Sequence, residues 1–181
     1  FESSGFHATV NHFDIRMVLY RRLLKLNWRA YFVVVNKDSD YYKSIQDKDE
    51  HEIFSISLSK LLFNRIKKSK NAKNIFIFET IQLKTKSLKS VLENFFDQMH
   101  KNNYNCEYYI KDKKDDINLG IIDYLNYIVY RVLKTRNSDK RMQELFDLFS
   151  PKFAMIEIQN TKKYLSRINE DISVEQLIKN W

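Results

Sequence analysis

Short apolar runs alternate with helical patterns along most of the chain, and this alternation constrains the fold more than any other feature. Three runs rich in β-branched and aromatic residues predict buried strands at Arg29–Val35, Asn74–Glu79 and Glu107–Ile110. Apolar residues at helical spacing predict four helices. The first ends near Leu26, and the others cover Glu52–Lys68, Ser87–His100 and Leu119–Arg136. Such alternation is typical of an α/β domain with parallel strands flanked by helices.

The ends of the chain carry weaker signals. Asn11 or Asp14 is a candidate cap for the first helix, which is predicted to turn Ile15, Val18, Leu19 and Leu23 inward. Near the other end, Asp139–Phe149 predicts a helix, and Lys152–Ile158 fits either a strand or an extended tail. Ser173 and Gln176 have the spacing of a capping box for a last short helix. We therefore expect an α/β domain over residues 1–150 and a C-terminal extension over residues 151–181 that includes this helix.

Composition narrows the class of protein. A length of 181 residues suits one domain, and 44% apolar residues with 2 glycines and 1 proline indicate a globular chain. The longest apolar runs fall far short of the roughly 20 residues that span a membrane, and no secretory leader is visible. Cys106 is the single cysteine, so a disulfide framework is excluded and a cytoplasmic location is expected. Because the chain begins with Phe1 rather than Met, we expect residues upstream of it.

Positive charge is concentrated in one segment. The chain has a net charge of +8, and Lys60–Lys89 holds nine basic residues against one acid, Glu79. A concentrated basic segment is what binding to a phosphate backbone requires, although a solvated lysine face that aids solubility has the same composition. The candidate nucleic-acid-binding residues are Arg65, Lys67, Lys68, Lys70, Lys73, Lys84 and Lys86.

The predicted helix Leu119–Arg136 contains one acid, Asp123, in an apolar sequence. Apolar residues recur at helical spacing at Leu119, Ile122, Leu125, Val129 and Val132, and Ile121, Ile128 and Leu133 widen this stripe. An ionised carboxylate in such surroundings is costly unless a cation or hydrogen-bond donors offset it. Asp123 is therefore either a metal ligand or a structural acid that caps its helix or pairs with Arg131 or Arg141.

Two further polar residues follow predicted strands. Lys37 comes after the first strand and Glu79 ends the second, and ligands of parallel α/β sheets bind at the carboxyl ends of the strands. Glu79 and Asp123 would suit Mg²⁺ or Mn²⁺, which is held by few carboxylates and several waters, and Lys37 would neutralise a phosphate. Glu79 is alternatively an ordinary acid at the end of a strand.

Several short motifs resemble the domain of unknown function 3800 family. They are Phe6-His7-Ala8-Thr9, Asp14-Ile15-Arg16, the strand before Lys37, Gly120-Ile121-Ile122-Asp123-Tyr124, Arg131 and Asp139-Lys140-Arg141. The resemblance implies a ribonuclease H-like three-layer domain with a mostly parallel central sheet, found in bacteria and often near phage or mobile-element genes. The family's Asp-Glu-Ser first-strand motif has no counterpart here. The domain is therefore expected to be N-terminally incomplete: the missing strands come from upstream, or from another segment or a partner chain, or else the site has decayed.

The resemblance leads to two functional hypotheses. In the first, the chain is a metal-dependent nuclease that binds nucleic acid, with Asp123, Glu79 and Lys37 as catalytic residues and Asp123 and Glu79 as metal ligands. In the second, it is a non-catalytic structural or interaction subunit of a bacterial phage-defence complex. Nucleic-acid binding without cleavage is a third possibility. The family's helix-borne acid falls on Asp123, so this residue is the strongest single candidate for a site.

Overall fold

A computed structural model of the chain describes residues 8–159, 163–168 and 172–181. Seven α-helices, two short 3₁₀ helices and five strands lie within these ranges. The helices are α1 (Phe13–Lys25), α2 (Asp40–Ile45), α3 (Glu50–Lys68), α4 (Leu88–Lys101), α5 (Ile117–Thr135), α6 (Lys140–Phe149) and α7 (Val174–Asn180). The strands are β1 (Ala30–Val34), β2 (Asn74–Glu79), β3 (Cys106–Lys111), β4 (Phe153–Ile158) and β5 (Lys163–Ser166).

The chain folds into two compact units. Unit 1 consists of Phe1–Asn36 together with Gly120–Trp181, and unit 2 is the continuous segment Lys37–Leu119. Unit 2 is therefore inserted in sequence between β1 and most of α5. The predicted division into residues 1–150 and 151–181 stays a prediction.

Unit 1 contains a three-stranded sheet in the order β1-β4-β5. β1 lies parallel to β4, with Phe32 opposite Ile156, and β4 lies antiparallel to β5. The core beside this sheet is dominated by aromatic and branched side chains, among which Phe149, Phe153 and Val132 are fully buried. Phe153 contacts Phe32 and Phe146 edge to face, with ring centroids 5.1 and 5.2 Å apart. Burial of large apolar surfaces from both sequence segments stabilises unit 1.

Unit 2 is built on a two-stranded parallel sheet, β2-β3, which α4 connects. α3 and α4 pack on one face of this sheet through Leu62, Ile66 and Phe96, and Phe96 stacks on Tyr108 with ring centroids 4.7 Å apart. α4 starts where the sequence predicts, because the Ser87 hydroxyl accepts the backbone N–H of Ser90. The same capping chemistry starts α7 at Ser173, where the predicted capping box is confirmed.

The mixed α/β class is confirmed, but the single, mostly parallel sheet is not what the structure shows. β1 pairs with β4 instead of joining β2 and β3, so two small sheets replace one. β4 is the segment whose sequence fitted either a strand or a tail. Its side chains Phe153, Ile156 and Ile158 are fully buried, so its pairing with β1 places them in the core of unit 1.

Details of two helices also differ from expectation. His12, rather than Asn11 or Asp14, is the residue that caps α1, and its ring accepts the backbone N–H of Asp14. Val18 and Ile122 were predicted to face the core but are 56% and 49% exposed. Both lie at the margin of an apolar stripe, where helical periodicity alone does not define how far the neighbouring elements reach.

Candidate functional site

Asp123 lies half-buried in the second turn of α5 and is tied to the start of the chain. Its Oδ2 accepts the backbone N–H of Ala8 at 3.0 Å, and the carbonyl of Ala8 accepts a hydrogen bond from Arg16 Nη1 at 3.1 Å. The Arg16 guanidinium also lies over the Tyr127 ring, 5.2 Å from its centroid. The motif positions Ala8, Arg16 and Asp123 thus come together in unit 1, whereas Phe6 and His7 lie outside the described residues.

The structure rules out one structural alternative for Asp123, the helix cap. Asp123 does not cap α5, because the helix begins at Ile117 and the preceding Asp116 accepts the backbone N–H of Asn118. Arg131 pairs with Asp139 instead, and the Arg141 guanidinium lies 3.9 Å from the centroid of the Phe13 ring. The Asp123 carboxylate accepts a backbone N–H from the other segment of unit 1, a contact that requires long-range folding.

Two buried tyrosines pack beside this carboxylate and differ in their hydrogen bonding. Tyr20 and Tyr124 contact each other edge to face, and burial raises the pKa of both hydroxyls. The Tyr124 hydroxyl donates to Asn11 Oδ1. The Tyr20 hydroxyl is buried without a hydrogen-bond partner in the structure as described. An unsatisfied buried hydroxyl costs free energy that a satisfied one does not.

Replacing these tyrosines by phenylalanine is expected to shift stability in opposite directions. Tyr20→Phe removes an unsatisfied hydroxyl and should raise the free energy of unfolding by about 1 kcal/mol. Tyr124→Phe removes a satisfied one and should lower it by about 1 kcal/mol. Urea denaturation of both variants measures the difference. Equal losses in the two variants would show that the Tyr20 hydroxyl is hydrogen-bonded in solution.

A second polar pair joins α5 to α6. Arg131 Nη2 donates to Asp139 Oδ2 at 2.6 Å, and the other oxygen of Asp139 accepts the backbone N–H of Met142 at the start of α6. The hydrogen bond from Arg131 is the main reason why the pKa of Asp139 lies below its ordinary value. Arg131 and Asp139 both belong to the motifs that carry the family resemblance, and here they form an ion pair that holds the start of α6 against α5.

The ion pair between Arg131 and Asp139 makes the stability of unit 1 depend on pH. The pKa of Asp139 is lower in the folded protein than in the unfolded chain. The stabilisation that its carboxylate gives the folded state is therefore complete above the unfolded-chain pKa of about 3.9, and it is lost as the pH falls through the folded-state pKa. Asp139→Asn should lower the free energy of unfolding by about 1 kcal/mol at neutral pH, and this difference should vanish in strong acid. Denaturant unfolding at a series of pH values measures it. A difference that stays constant to the lowest pH would contradict the ion-pair explanation.

Glu79 and Lys37, the other predicted catalytic residues, lie in unit 2. Glu79 ends β2, and its Oε1 lies 3.2 Å from the ammonium of Lys113. Lys37 is exposed and follows β1. The predicted convergence of three groups assumed that β1 and β2 share a sheet, and they do not. The structure thus places Glu79 and Asp123 in different units, and their roles in a common site stay predictions.

The metal-ligand hypothesis depends on Asp123 and Glu79. Within the described ranges, no group of three or more His, Cys, Asp or Glu side chains lies close enough together to hold a metal ion. Mg²⁺ needs only one or two carboxylates when waters and substrate phosphates complete its shell. Asp123 has the right donor chemistry for such a partial site, because its ligand atoms are hard oxygens.

Most basic residues of Lys60–Lys89 lie in two groups at opposite ends of α3; Lys60 lies in the middle of the helix and Arg65 in its last turn. Lys67, Lys68, Lys70 and Lys73 lie at or just after its C-terminal end. Lys84 lies at its N-terminal end, because the backbone N–H of Lys84 donates to Glu50 and the Thr85 hydroxyl hydrogen-bonds to His51. A helix of 19 residues is about 28 Å long, so the two groups cannot act as one compact patch.

The two ends of α3 differ in charge. At the N-terminal end, Lys84 lies beside Glu50, and Asp49 and Glu52 belong to the same first turn. At the C-terminal end, contacts join the starts of both strands and the ends of both helices: Asn74 bonds to Ser69 and to Asn105, and Tyr104 bonds to Met99. α4 therefore ends beside α3 and brings Lys101 to the same place.

We call the exposed lysines at this end, Lys67, Lys68, Lys70 and Lys101, the basic end of unit 2. None of the four has an ion-pair partner within the described structure. Lys73 and Glu107, which also lie here, neutralise each other at 2.8 Å.

Lys101 was missed in the sequence because it lies outside Lys60–Lys89. The parallel β2-α4-β3 connection was the signal that could have found it, since such a connection brings successive helix C-termini to one end of the sheet.

Comparisons with known proteins give no match: neither a protein-family model, nor a curated protein, nor a solved structure is similar to the chain. The resemblance to the domain of unknown function 3800 family therefore stays a prediction. Among the described residues, no helix combines the length and apolar character needed to cross a membrane.

Proposed function

We propose that this protein binds nucleic acid through the basic end of unit 2. The observation that carries the proposal is the grouping of the exposed residues Lys67, Lys68, Lys70 and Lys101 at the ends of α3 and α4. Clustered lysines attract a phosphate backbone and release its counterions on binding. Lysines at helix C-termini also interact favourably with the helix dipole, but this stabilising role does not require two helices to end side by side.

The salt dependence of affinity tests this proposal. Fluorescence anisotropy with labelled DNA and RNA oligonucleotides should give a dissociation constant that rises steeply with salt. Four phosphate contacts correspond to a slope of about 3 to 4 in a plot of log Kd against log salt concentration. Binding that is absent at low salt, or that does not change with salt, would contradict the proposal.

A second candidate function is metal-dependent cleavage of phosphodiesters by a ribonuclease H-like domain. It is favoured by Asp123, a half-buried carboxylate whose Oδ2 accepts the backbone N–H of Ala8 and on which the resemblance places the family's helix-borne acid. Asp123 would hold Mg²⁺ or Mn²⁺, which would polarise the scissile phosphate, and Glu79 and Lys37 are the further proposed residues. A phage-defence or mobile-element setting, a cytoplasmic location and a protein partner that supplies the family's first strands belong to the same proposal.

Cleavage in the presence of Mg²⁺ distinguishes the second candidate from a non-catalytic subunit. The wild-type protein should nick DNA or RNA, and Asp123→Asn should reduce the rate at least 100-fold, on the order of the effect of removing an essential catalytic group. Glu144→Gln, at an exposed acid in the same unit and outside the motifs of the resemblance, is the matched control and should cleave normally. Equal cleavage by Asp123→Asn would reject Asp123 as a catalytic residue. Binding without any product would favour the interaction subunit.

A further inference from the structure

The turn that follows α4 places an aromatic ring among the lysines of the basic end. Tyr104 is partly buried against the core of unit 2, and the Lys70 ammonium lies over its ring, 5.7 Å from the centroid. Two exposed asparagines, Asn103 and Asn105, flank it in sequence. Asn103 has a φ of 61°, in the left-handed region that asparagine tolerates better than most residues, so the turn reverses sharply here.

These groups match the requirements of a single-stranded nucleic acid. Unpaired bases stack on aromatic rings, their edges hydrogen-bond to amide side chains, and nearby lysines bind the phosphates. A duplex offers its phosphates but keeps its bases stacked internally, so it cannot use Tyr104 in this way. The combination of an aromatic ring and lysines at the basic end therefore favours the binding of a single strand over that of a duplex.

We infer that the basic end prefers single-stranded nucleic acid and that Tyr104 stacks on one of its bases. This inference rests on the proposed nucleic-acid binding and specifies its ligand. In the free protein the Lys70 ammonium covers the ring. On binding, a base takes that position, and the ammonium moves to a phosphate of the same strand. Stacking on aromatic side chains does not depend on base identity, so we expect weak sequence preference.

Competition between strands and substitution of Tyr104 test the inference. A labelled single strand of about 16 nucleotides, as DNA and as RNA, is compared with the corresponding duplex. The single strand should bind more tightly. Tyr104→Leu, which keeps apolar bulk, should weaken single-strand binding on the order of tenfold without changing the salt slope, while Tyr104→Phe should bind like the wild type.

Tyr130→Leu is a matched control, because Tyr130 is 54% exposed and has the Lys134 ammonium 5.5 Å from its ring centroid, but lies in unit 1. It should bind normally. Preference for the duplex, wild-type affinity of Tyr104→Leu, or equal losses in Tyr104→Leu and Tyr104→Phe would overturn the inference while leaving nucleic-acid binding intact. Failure of the wild-type protein to bind any oligonucleotide would instead reject the proposed function, and with it this inference. Comparing single-stranded DNA with single-stranded RNA shows which of the two nucleic acids the basic end binds more tightly.

Discussion

Replacing Lys67, Lys68 and Lys70 together by glutamine is expected to weaken nucleic-acid binding on the order of 100-fold at about 0.15 M salt. Each lost phosphate contact lowers the salt slope by about 0.7 on a single strand and about 0.9 on a duplex, so the slope should fall by roughly 2 to 3. The three side chains are exposed, so the substitution should leave the fold of unit 2 intact. Anisotropy titrations at several salt concentrations measure both the affinity and the slope.

The matched control for this triple variant removes the same number of charges from the other end of α3. Lys84, Lys86 and Lys89 belong to the same basic stretch of sequence, but Lys84 lies next to Glu50 and Lys89 pairs with Glu93 at 3.7 Å. Replacing these three by glutamine should change affinity less than tenfold, because only screened long-range attraction is lost. Equal losses in the two triple variants would show that total charge, rather than the basic end, governs binding.

Phe149→Ala is expected to lower the free energy of unfolding by about 3 to 5 kcal/mol. Phe149 is fully buried and contacts Tyr20 and Trp28, with ring centroids 5.6 and 5.9 Å apart. Tyr20 and Trp28 come from the first segment of unit 1 and Phe149 from the second. The cavity left by alanine would therefore weaken the contact that joins the two segments, and a loss of this size is a large part of a domain's usual stability.

Denaturant unfolding measures this loss, and hydrogen exchange shows where it acts. Amides of α1 and α6 should lose protection together, although they are far apart in sequence. Phe63→Ala makes the same substitution at a residue that is 40% exposed and should cost much less, about 1 kcal/mol or below. Protection lost in α6 alone would contradict the view that the two segments form one cooperative unit.

Six of the seven α-helices could be predicted from the sequence because their signals are local, whereas α2, which lies in a polar stretch and has no buried residues, was not predicted. The amphipathic pattern of α4 and the hydroxyl of Ser87 lie within one short stretch, and the structure places the helix within a residue of the prediction. The same is true of β2, whose predicted and observed bounds coincide. In each case the residues that determine the element are neighbours along the chain.

The arrangement of strands could not be predicted in this way. The pairing of β1 with β4 depends on residues more than a hundred positions apart, and β4 had no clear pattern of its own. The expected grouping of Lys37, Glu79 and Asp123 depended on that arrangement and therefore lost its structural basis. The basic segment was found by composition alone, but only the fold shows that α3 separates its lysines and that α4 adds Lys101.

The insertion of unit 2 between β1 and β4 has a consequence for synthesis on the ribosome. At about 5 to 20 residues per second, β1 emerges roughly 6 to 25 seconds before its partner β4 is complete. Unit 2, whose contacts are continuous in sequence, can fold during this interval, whereas β1 presents the apolar strand Ala30–Val34 with no sheet to join. Unpaired apolar strands promote aggregation. The nascent chain is thus most vulnerable while unit 2 is being made, and faster completion of residues 120–158 would shorten that exposure.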